Sequence, residues 1–125
     1  MFKYDIPEIC QESIKVNIDK AVCYRITQNN PPIEEDFLPQ LFFNPLPDFV
    51  VGSECDYAGL SVYSNLNKIK KLLKRNKKLG NYIYSGEIVS QKHGPLMIIE
   101  PSKRYHLNWY QFKSVDAPSL FSQKC

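Results

Sequence analysis

The fold is decided by residues 57–89, which read YAGLSVYSNLNKIKKLLKRNKKLGNYIYSGEIV. The stretch begins with an apolar run, continues through a lysine-rich segment closed by Gly80, and ends in a run rich in tyrosine and isoleucine. β-Branched and aromatic residues favour strands, whereas apolar residues spaced three and four apart favour a helix. The order strand, helix, strand therefore predicts a small α+β domain.

The lysine-rich segment has the apolar spacing of a helix over about residues 65–79. Its apolar residues are Leu66, Ile69, Leu72, Leu73 and Leu79. Projected at 100° per residue they span roughly 140°, which is the width of a stripe that faces a core. Ser64 or Asn65 can cap the first turn, and Gly80 can end the helix in the left-handed conformation. We therefore expect one prominent helix packed on a sheet.

The opposite side of this helix carries seven positive charges and no acid. We call these residues the basic face: Lys68, Lys70, Lys71, Lys74, Arg75, Lys77 and Lys78. Without them the formal net charge of +3 would become −4. Such polarity favours an acidic protein or nucleic-acid partner. The alternative is a solvated face that keeps the domain soluble.

Further strands surround this central unit. Alternation favours a strand over residues 14–18, although Ile9, Cys10, Ile14 and Ile18 could equally form a helical stripe. Strand-forming residues predict other strands at 21–27, 96–100 and 105–112. Prolines between positions 31 and 47 mark a stiff, ordered connection that contains a short helix after Pro32. The prediction is a small mixed or antiparallel sheet, or sheets, within a single domain of residues 1–113. Residues 114–125 are predicted to be a polar C-terminal tail with little to hold it.

The cysteine spacing and the lengths of the apolar runs indicate the cellular compartment of the protein. Cys10, Cys23, Cys55 and Cys125 lack the close spacing of zinc ligands, so we expect no metal site and reduced cysteines. The sequence has no apolar run of about 18 residues, the length that a membrane span needs. The N-terminus lacks the apolar core of a signal peptide. These features predict a cytoplasmic protein without a membrane segment, and they leave the oligomeric state open.

Several short motifs occur in an order that resembles a family of small, largely uncharacterised bacterial proteins. The motifs are Tyr24-Arg25, Asn30-Pro31-Pro32, Asp36-Phe37, Gly59-Leu60-Ser61-Val62-Tyr63, Leu79-Gly80-Asn81-Tyr82-Ile83, and His106 followed by Trp109. The resemblance covers roughly residues 24–109. The chain departs from the family after Trp109, where the family adds another apolar strand and this sequence turns polar.

More loosely, the same order resembles the ADP-ribosyltransferase fold, whose enzymes bind NAD in a cleft between two small sheets. The resemblance implies that Arg25 holds the phosphates or ribose of NAD. It implies that Ser61, on a middle strand, braces the site. It also implies that Glu100, with Glu87 as its rival, stabilises the positive charge that develops on the nicotinamide ribose, an electrostatic role.

Three more residues complete the candidate site. Tyr63 is the candidate for stacking on nicotinamide, His106 is a further catalytic candidate, and Trp109 is a further cofactor contact. Each candidate also has a purely structural interpretation; for example, Arg25 could pair with Asp36 or Glu34. The expected function is therefore NAD or ADP-ribose binding, or an ADP-ribosyltransferase-like reaction. The alternative is a non-catalytic module that engages an acidic partner through the basic face.

Overall fold

Strand, helix and strand follow one another in the central stretch as the sequence predicts. The computed structural model describes residues 2–43, 45–48, 54–98 and 105–125. In the central stretch, strand β2 spans Leu60–Tyr63, helix α3 spans Leu66–Arg75 and strand β3 spans Tyr82–Val89. The other elements are helix α1 Glu8–Gln11, strand β1 Lys20–Thr27, helix α2 Glu54–Tyr57, helix α4 Ser90–His93, strand β4 Leu96–Ile98, strand β5 His106–Trp109, helix α5 Ala117–Leu120 and strand β6 Gln123–Lys124. Short 3-10 helices span Glu34–Phe37, Gln40–Phe42 and Lys77–Leu79. The predicted α+β class is confirmed.

The strands form a six-stranded sheet in the order β4-β5-β2-β1-β3-β6, and each neighbouring pair is antiparallel. β1 pairs with β3 along its whole length, whereas its register with β2 contains the single pair Tyr24 and Tyr63. The sheet therefore has two three-stranded halves that join at one point. Because the halves remain joined, the split into separate sheets that the transferase resemblance implies is not confirmed.

Helix α3 begins where the sequence predicts and ends earlier. The Asn65 side chain accepts a hydrogen bond from the Lys68 backbone N–H at 3.0 Å, and fully buried Ile69 packs on Ile26 of β1 and Ile83 of β3. The helix stops at Arg75, so Gly80 is not its cap. Gly80 is required for a different reason, because a Cβ there would lie 2.6 Å from the carbonyl oxygen of Thr27.

The larger core lies on the sheet face away from α3. Its fully buried aromatic side chains are Phe37, Trp109 and Phe121, and Val62 and Leu107 pack with them from the middle of the sheet. Burial of such side chains is the main favourable term in folding. None of the helices in the described ranges has the length and apolarity that a membrane crossing needs.

Two predictions about the ends of the domain are wrong. Residues 14–18 form no strand; Ile18 makes only an isolated bridge to Leu96, and although Ile14 and Ile18 pack partly against the core, Val16 is exposed and the segment has no continuous strand partner. Residues 114–125 are not a loosely held tail, since β6 pairs with β3 and Phe121 is fully buried in the larger core. Val115 and Ala117 are buried with it, so the segment is anchored by several apolar side chains as well as by the strand pairing.

The expectation of reduced cysteines is wrong for one pair. Cys10 and Cys55 form a disulfide, while Cys23 is a buried free thiol and Cys125 an exposed one. The bond joins residues 45 positions apart and ties α1 to α2. Close spacing of cysteines in a sequence predicts shared metal ligands, but spacing does not tell whether two cysteines 45 positions apart are in contact.

Removing this disulfide is expected to destabilise the protein. The double substitution Cys10→Ser and Cys55→Ser should lower the free energy of unfolding by about 2–4 kcal/mol, because the unfolded chain regains the freedom that the cross-link removes. Urea denaturation followed by circular dichroism measures this. The matched control Cys125→Ser should change the free energy by less than about 0.5 kcal/mol. A wild-type transition that does not shift with reducing agent would contradict the disulfide.

Candidate functional site

A cavity of about 450 Å³ opens where β1 and β2 separate, next to the C-terminal end of α3. Arg25, Ser61 and Tyr63 line it together with some of the residues between positions 28 and 43 and between positions 72 and 79. Its volume falls within the usual range of small-molecule sites, which is about 300–1,000 Å³. Arg25 of β1 and two candidate residues of β2 therefore border one cavity.

Arg25 is held at the cavity by backbone carbonyl groups. Its Nε donates to the carbonyl of Asp36 and its Nη1 donates to the carbonyl of Ser61, each at 3.0 Å. These bonds use two of the five N–H groups of a guanidinium, so three remain. Burial lowers the pKa of Arg25 to about 10, a shift that Tyr63 and Asp36 oppose, so the side chain keeps its charge at neutral pH.

The acids proposed as structural partners of Arg25 are engaged elsewhere. The Asp36 carboxylate accepts hydrogen bonds from the backbone N–H groups of Gln28 and Ile33 and from Asn29 Nδ2, at 2.8, 2.9 and 3.1 Å. Glu34 forms an ion pair with Lys3 at 3.0 Å. Among the described residues Arg25 has no ion pair, and it meets Asp36 through that residue's carbonyl oxygen. The carboxylate of Asp36 thus folds the connection after β1, and it acts on the guanidinium only as a nearby charge, without a hydrogen bond to it.

His106 contacts two residues of the cavity, Ser61 and Tyr63. Its Nε2 lies 3.2 Å from the Ser61 Oγ, and its ring stacks on Tyr63 with centroids 4.6 Å apart and planes 7° from parallel. Burial lowers the pKa of His106, so the imidazole is neutral at pH 7. The Tyr105 ring also stacks on Tyr63, with centroids 6.4 Å apart, so the Tyr63 ring is held between neighbouring rings and is only partly exposed.

Trp109 is not a cofactor contact, and that prediction is wrong. Its side chain is fully buried in the larger core, where Nε1 donates to the carbonyl of His93 at 3.1 Å. Strand β5 points His106 and Trp109 to opposite faces, since residues an odd number apart on a strand face opposite ways. Of these two residues, His106 therefore lies at the candidate site and Trp109 lies in the larger core.

The glutamate candidates do not meet Arg25 in the described part of the chain. Glu87 is exposed on β3 opposite Val22, three residues from Arg25 along β1, and it is not among the residues that line the cavity. Glu100 lies outside the described residues. The prediction of Glu87 at the site is therefore wrong, whereas that of Glu100 stays a prediction.

Two cavity residues were not singled out from the sequence. Glu35 and Gln40 belong to the short 3-10 helices of the proline-rich connection and line the cavity with Arg25. The side-chain oxygen Oε1 of Gln40 is shielded from solvent and has no hydrogen-bond partner among the residues described. The sequence feature that could have identified them is the proline-rich connection itself, because long ordered loops are often functional.

The basic face is exposed and adjoins the cavity through Lys78. None of its seven cations forms an ion pair with any residue in the described ranges. The Lys68 Nζ lies 5.6 Å from the centre of the Tyr105 ring, a cation–π contact. Within those ranges no group of three or more His, Cys, Asp or Glu side chains is placed to hold a metal ion.

Comparison with known protein families, curated proteins and solved structures finds no match to this chain. The fold and the cavity together define the class of protein: an α+β domain with a cavity that contains an arginine and has the size of a small-molecule site.

Proposed function

We propose that the protein binds a small anionic ligand of the nucleotide type, with NAD or ADP-ribose as the candidates, in the cavity lined by Arg25. The observation that carries the proposal is the state of the Arg25 guanidinium. It is partly buried, it bonds only to neutral carbonyl groups, and it has no ion pair among the described residues. Burying a cation without a paired anion costs free energy. An anionic ligand that accepts the remaining N–H groups offsets this cost.

The rest of the cavity fits a ligand that is part polar and part aromatic. Tyr63 and Phe43 line it, and Phe43 is 36% exposed. Partly exposed aromatic side chains are suited to contact with a planar base or a nicotinamide ring. A transferase reaction would require a carboxylate at the ligand ribose. That part of the proposal rests on Glu100 and on the sequence resemblance alone.

The test of binding is isothermal titration of the protein with NAD, with ADP-ribose and with AMP. We expect saturable heat with at least one of the three, and a higher melting temperature in its presence, because a ligand that binds only the folded state stabilises it. If none of the three gives heat at millimolar concentration, the proposal is wrong.

A second candidate function is supported by a separate observation, the absence of ion pairs on the basic face among the described residues. Exposed lysines that are not committed to internal pairs are available to an acidic protein or a nucleic acid. Such binding releases counterions, so its strength falls as salt rises. We propose that the basic face either engages such a partner or steers an anionic ligand towards the adjoining cavity.

Charge reversal on the basic face is expected to abolish binding to an acidic polymer. For wild-type protein that contacts three phosphates of single-stranded DNA, log K should fall with log salt at a slope of about −2. The triple substitution Lys70→Glu, Lys74→Glu and Lys77→Glu should remove both the binding and the slope, as measured by fluorescence anisotropy with labelled single-stranded DNA and with labelled polyglutamate.

The matched control reverses three exposed lysines outside the basic face, Lys15, Lys20 and Lys113, and gives the same net charge. If both triple variants lose binding equally, net charge rather than the basic face is responsible. Circular dichroism of both variants checks that the domain stays folded. Salt-independent binding of the wild-type protein would also argue against this function.

A further inference from the structure

A second cavity, of about 340 Å³, lies between helix α3 and the start of strand β3. It shares no lining residue with the cavity beside Arg25. Residues three and four positions apart lie on one side of a helix, so Lys70, Leu73 and Lys74 of α3 border this cavity together. Three lysines and three apolar residues are part of its lining, namely Lys70, Lys74, Lys77, Leu73, Gly80 and Ile83. We call it the lysine-rimmed cavity.

The lysine-rimmed cavity has an apolar floor and a charged rim. Ile83 and Gly80 are buried, Leu73 is partly exposed and within reach of a ligand, and the three lysines are fully on the surface. None of these lysines forms an ion pair within the described ranges. Lysine side chains lay their apolar stems along such a floor while the ammonium groups stay in water. The cavity is therefore complementary to an occupant that has an apolar group for the floor and anionic groups for the rim.

A nucleic acid matches the charge of the rim but not the floor. Proteins that bind single strands stack the bases on aromatic side chains, and none of the described residues that line this cavity is aromatic. The Tyr105 ring beside the basic face is already covered, because Lys68 lies over it and the Tyr63 ring stacks on it. An acidic peptide that includes a large apolar side chain supplies both the carboxylates and the apolar group.

We infer that the lysine-rimmed cavity binds an acidic peptide segment of a partner protein, with one large apolar side chain of the peptide against Leu73 and its carboxylates on the three lysines. This inference rests on the second candidate function, in which the basic face engages an acidic partner, and it names that partner as a protein. The rim attracts any polyanion, whereas the floor selects a partner with an apolar side chain.

The experiment compares two short labelled peptides by fluorescence anisotropy. Both peptides are rich in glutamate; one has a single central leucine and the other a single central alanine. We expect wild-type protein to bind the leucine peptide about tenfold more tightly, because the larger side chain buries more apolar surface. Added salt should weaken both peptides and leave their ratio unchanged, since salt screens the charges of the rim and not the contact with the floor.

Two leucine variants test whether this preference comes from the lysine-rimmed cavity. Leu73→Gln keeps the helix propensity and removes an apolar side chain from the floor, so it should make the two affinities equal. The matched control is Leu72→Gln, because Leu72 is also partly buried against Ile69 but lines the cavity beside Arg25. It should keep the tenfold preference. Circular dichroism and thermal melting of both variants check that they are folded.

The outcomes separate the inference from the function on which it rests. If wild-type protein binds both peptides equally, or if both leucine variants lose the preference, the inference is wrong while the basic face still binds acidic partners. If wild-type protein binds single-stranded DNA more tightly than the leucine peptide at equal salt, the partner is a nucleic acid and the inference is overturned. Dimerisation of wild-type protein that Leu73→Gln abolishes would also overturn it, because a second copy of the chain would then occupy the cavity. If neither the peptides nor the DNA bind, the inference and the second candidate function fail together.

Discussion

Replacement of Arg25 by Gln is expected to reduce affinity for ADP-ribose by about a hundredfold or more. Truncating one partner of a buried charge pair costs about 2–5 kcal/mol, and 1.4 kcal/mol corresponds to a factor of ten. Arg25→Lys should recover only part of the loss, because lysine keeps the charge but lacks the planar fork that bonds two oxygens at once. Isothermal titration on variants shown to be folded by circular dichroism measures both effects.

The control for this experiment is another cation of the same cavity. Lys78 is exposed, so Lys78→Gln should weaken binding only a few-fold, since exposed charges are screened by water. Arg25→Gln also removes the donors to the carbonyls of Asp36 and Ser61, and some loss of stability is expected from that. Wild-type affinity in a folded Arg25→Gln variant would show that the arginine is structural and that the ligand site lies elsewhere.

Replacement of Trp109 by Ala is expected to cost about 3–5 kcal/mol in the free energy of unfolding, the range for deleting a large aromatic side chain from a core. Trp109 is fully buried and packs on Phe121, with ring centroids 5.8 Å apart. The loss also removes one of the two hydrogen bonds that the carbonyl of His93 accepts, while the bond from the Phe112 backbone N–H remains. Urea denaturation measures the change, and an outcome in which the variant is unfolded at all urea concentrations agrees with the same expectation.

A milder substitution distinguishes a core role from a ligand contact. Trp109→Phe should destabilise the fold by about 1–3 kcal/mol, because it shrinks a fully buried ring and removes one of the two hydrogen bonds to the carbonyl of His93, and it should leave ligand affinity unchanged. Val22→Ala, at a side chain that is 48% exposed on β1, is the control and should cost less than about 1 kcal/mol. Unaltered stability combined with weaker ligand binding in Trp109→Phe would restore Trp109 to the site.

The central unit was predictable because its signals are local. The stripe that includes Ile69 sets the helix, and Asn65 caps it, since both effects depend on residues within a few positions of one another. The strand 21–27 was likewise predictable from its composition. The C-terminal segment was not, because its place in the core depends on Phe121 meeting Trp109, and no periodicity in residues 114–125 announces that contact.

The candidate site was predictable in part. Arg25, Ser61 and Tyr63 follow from the order of motifs, and they do line one cavity. Trp109 was misassigned because a motif states which residues are near in sequence, while the alternation of β5 decides which face each occupies. Gln40 was missed because an unpaired acceptor is a property of the surrounding packing.

By itself the sequence determined the α+β class, the basic helix and the order of the main strands, since these depend on patterning at short range. Only the tertiary structure decided which strands are neighbours, which cysteines are joined, and that β1 and β2 separate at Arg25. The physical reason is that hydrogen bonds and contacts between distant residues depend on the packing of the whole chain. The charge of Arg25 is written in the sequence, but its lack of an ion-pair partner among the described residues is visible only in the fold.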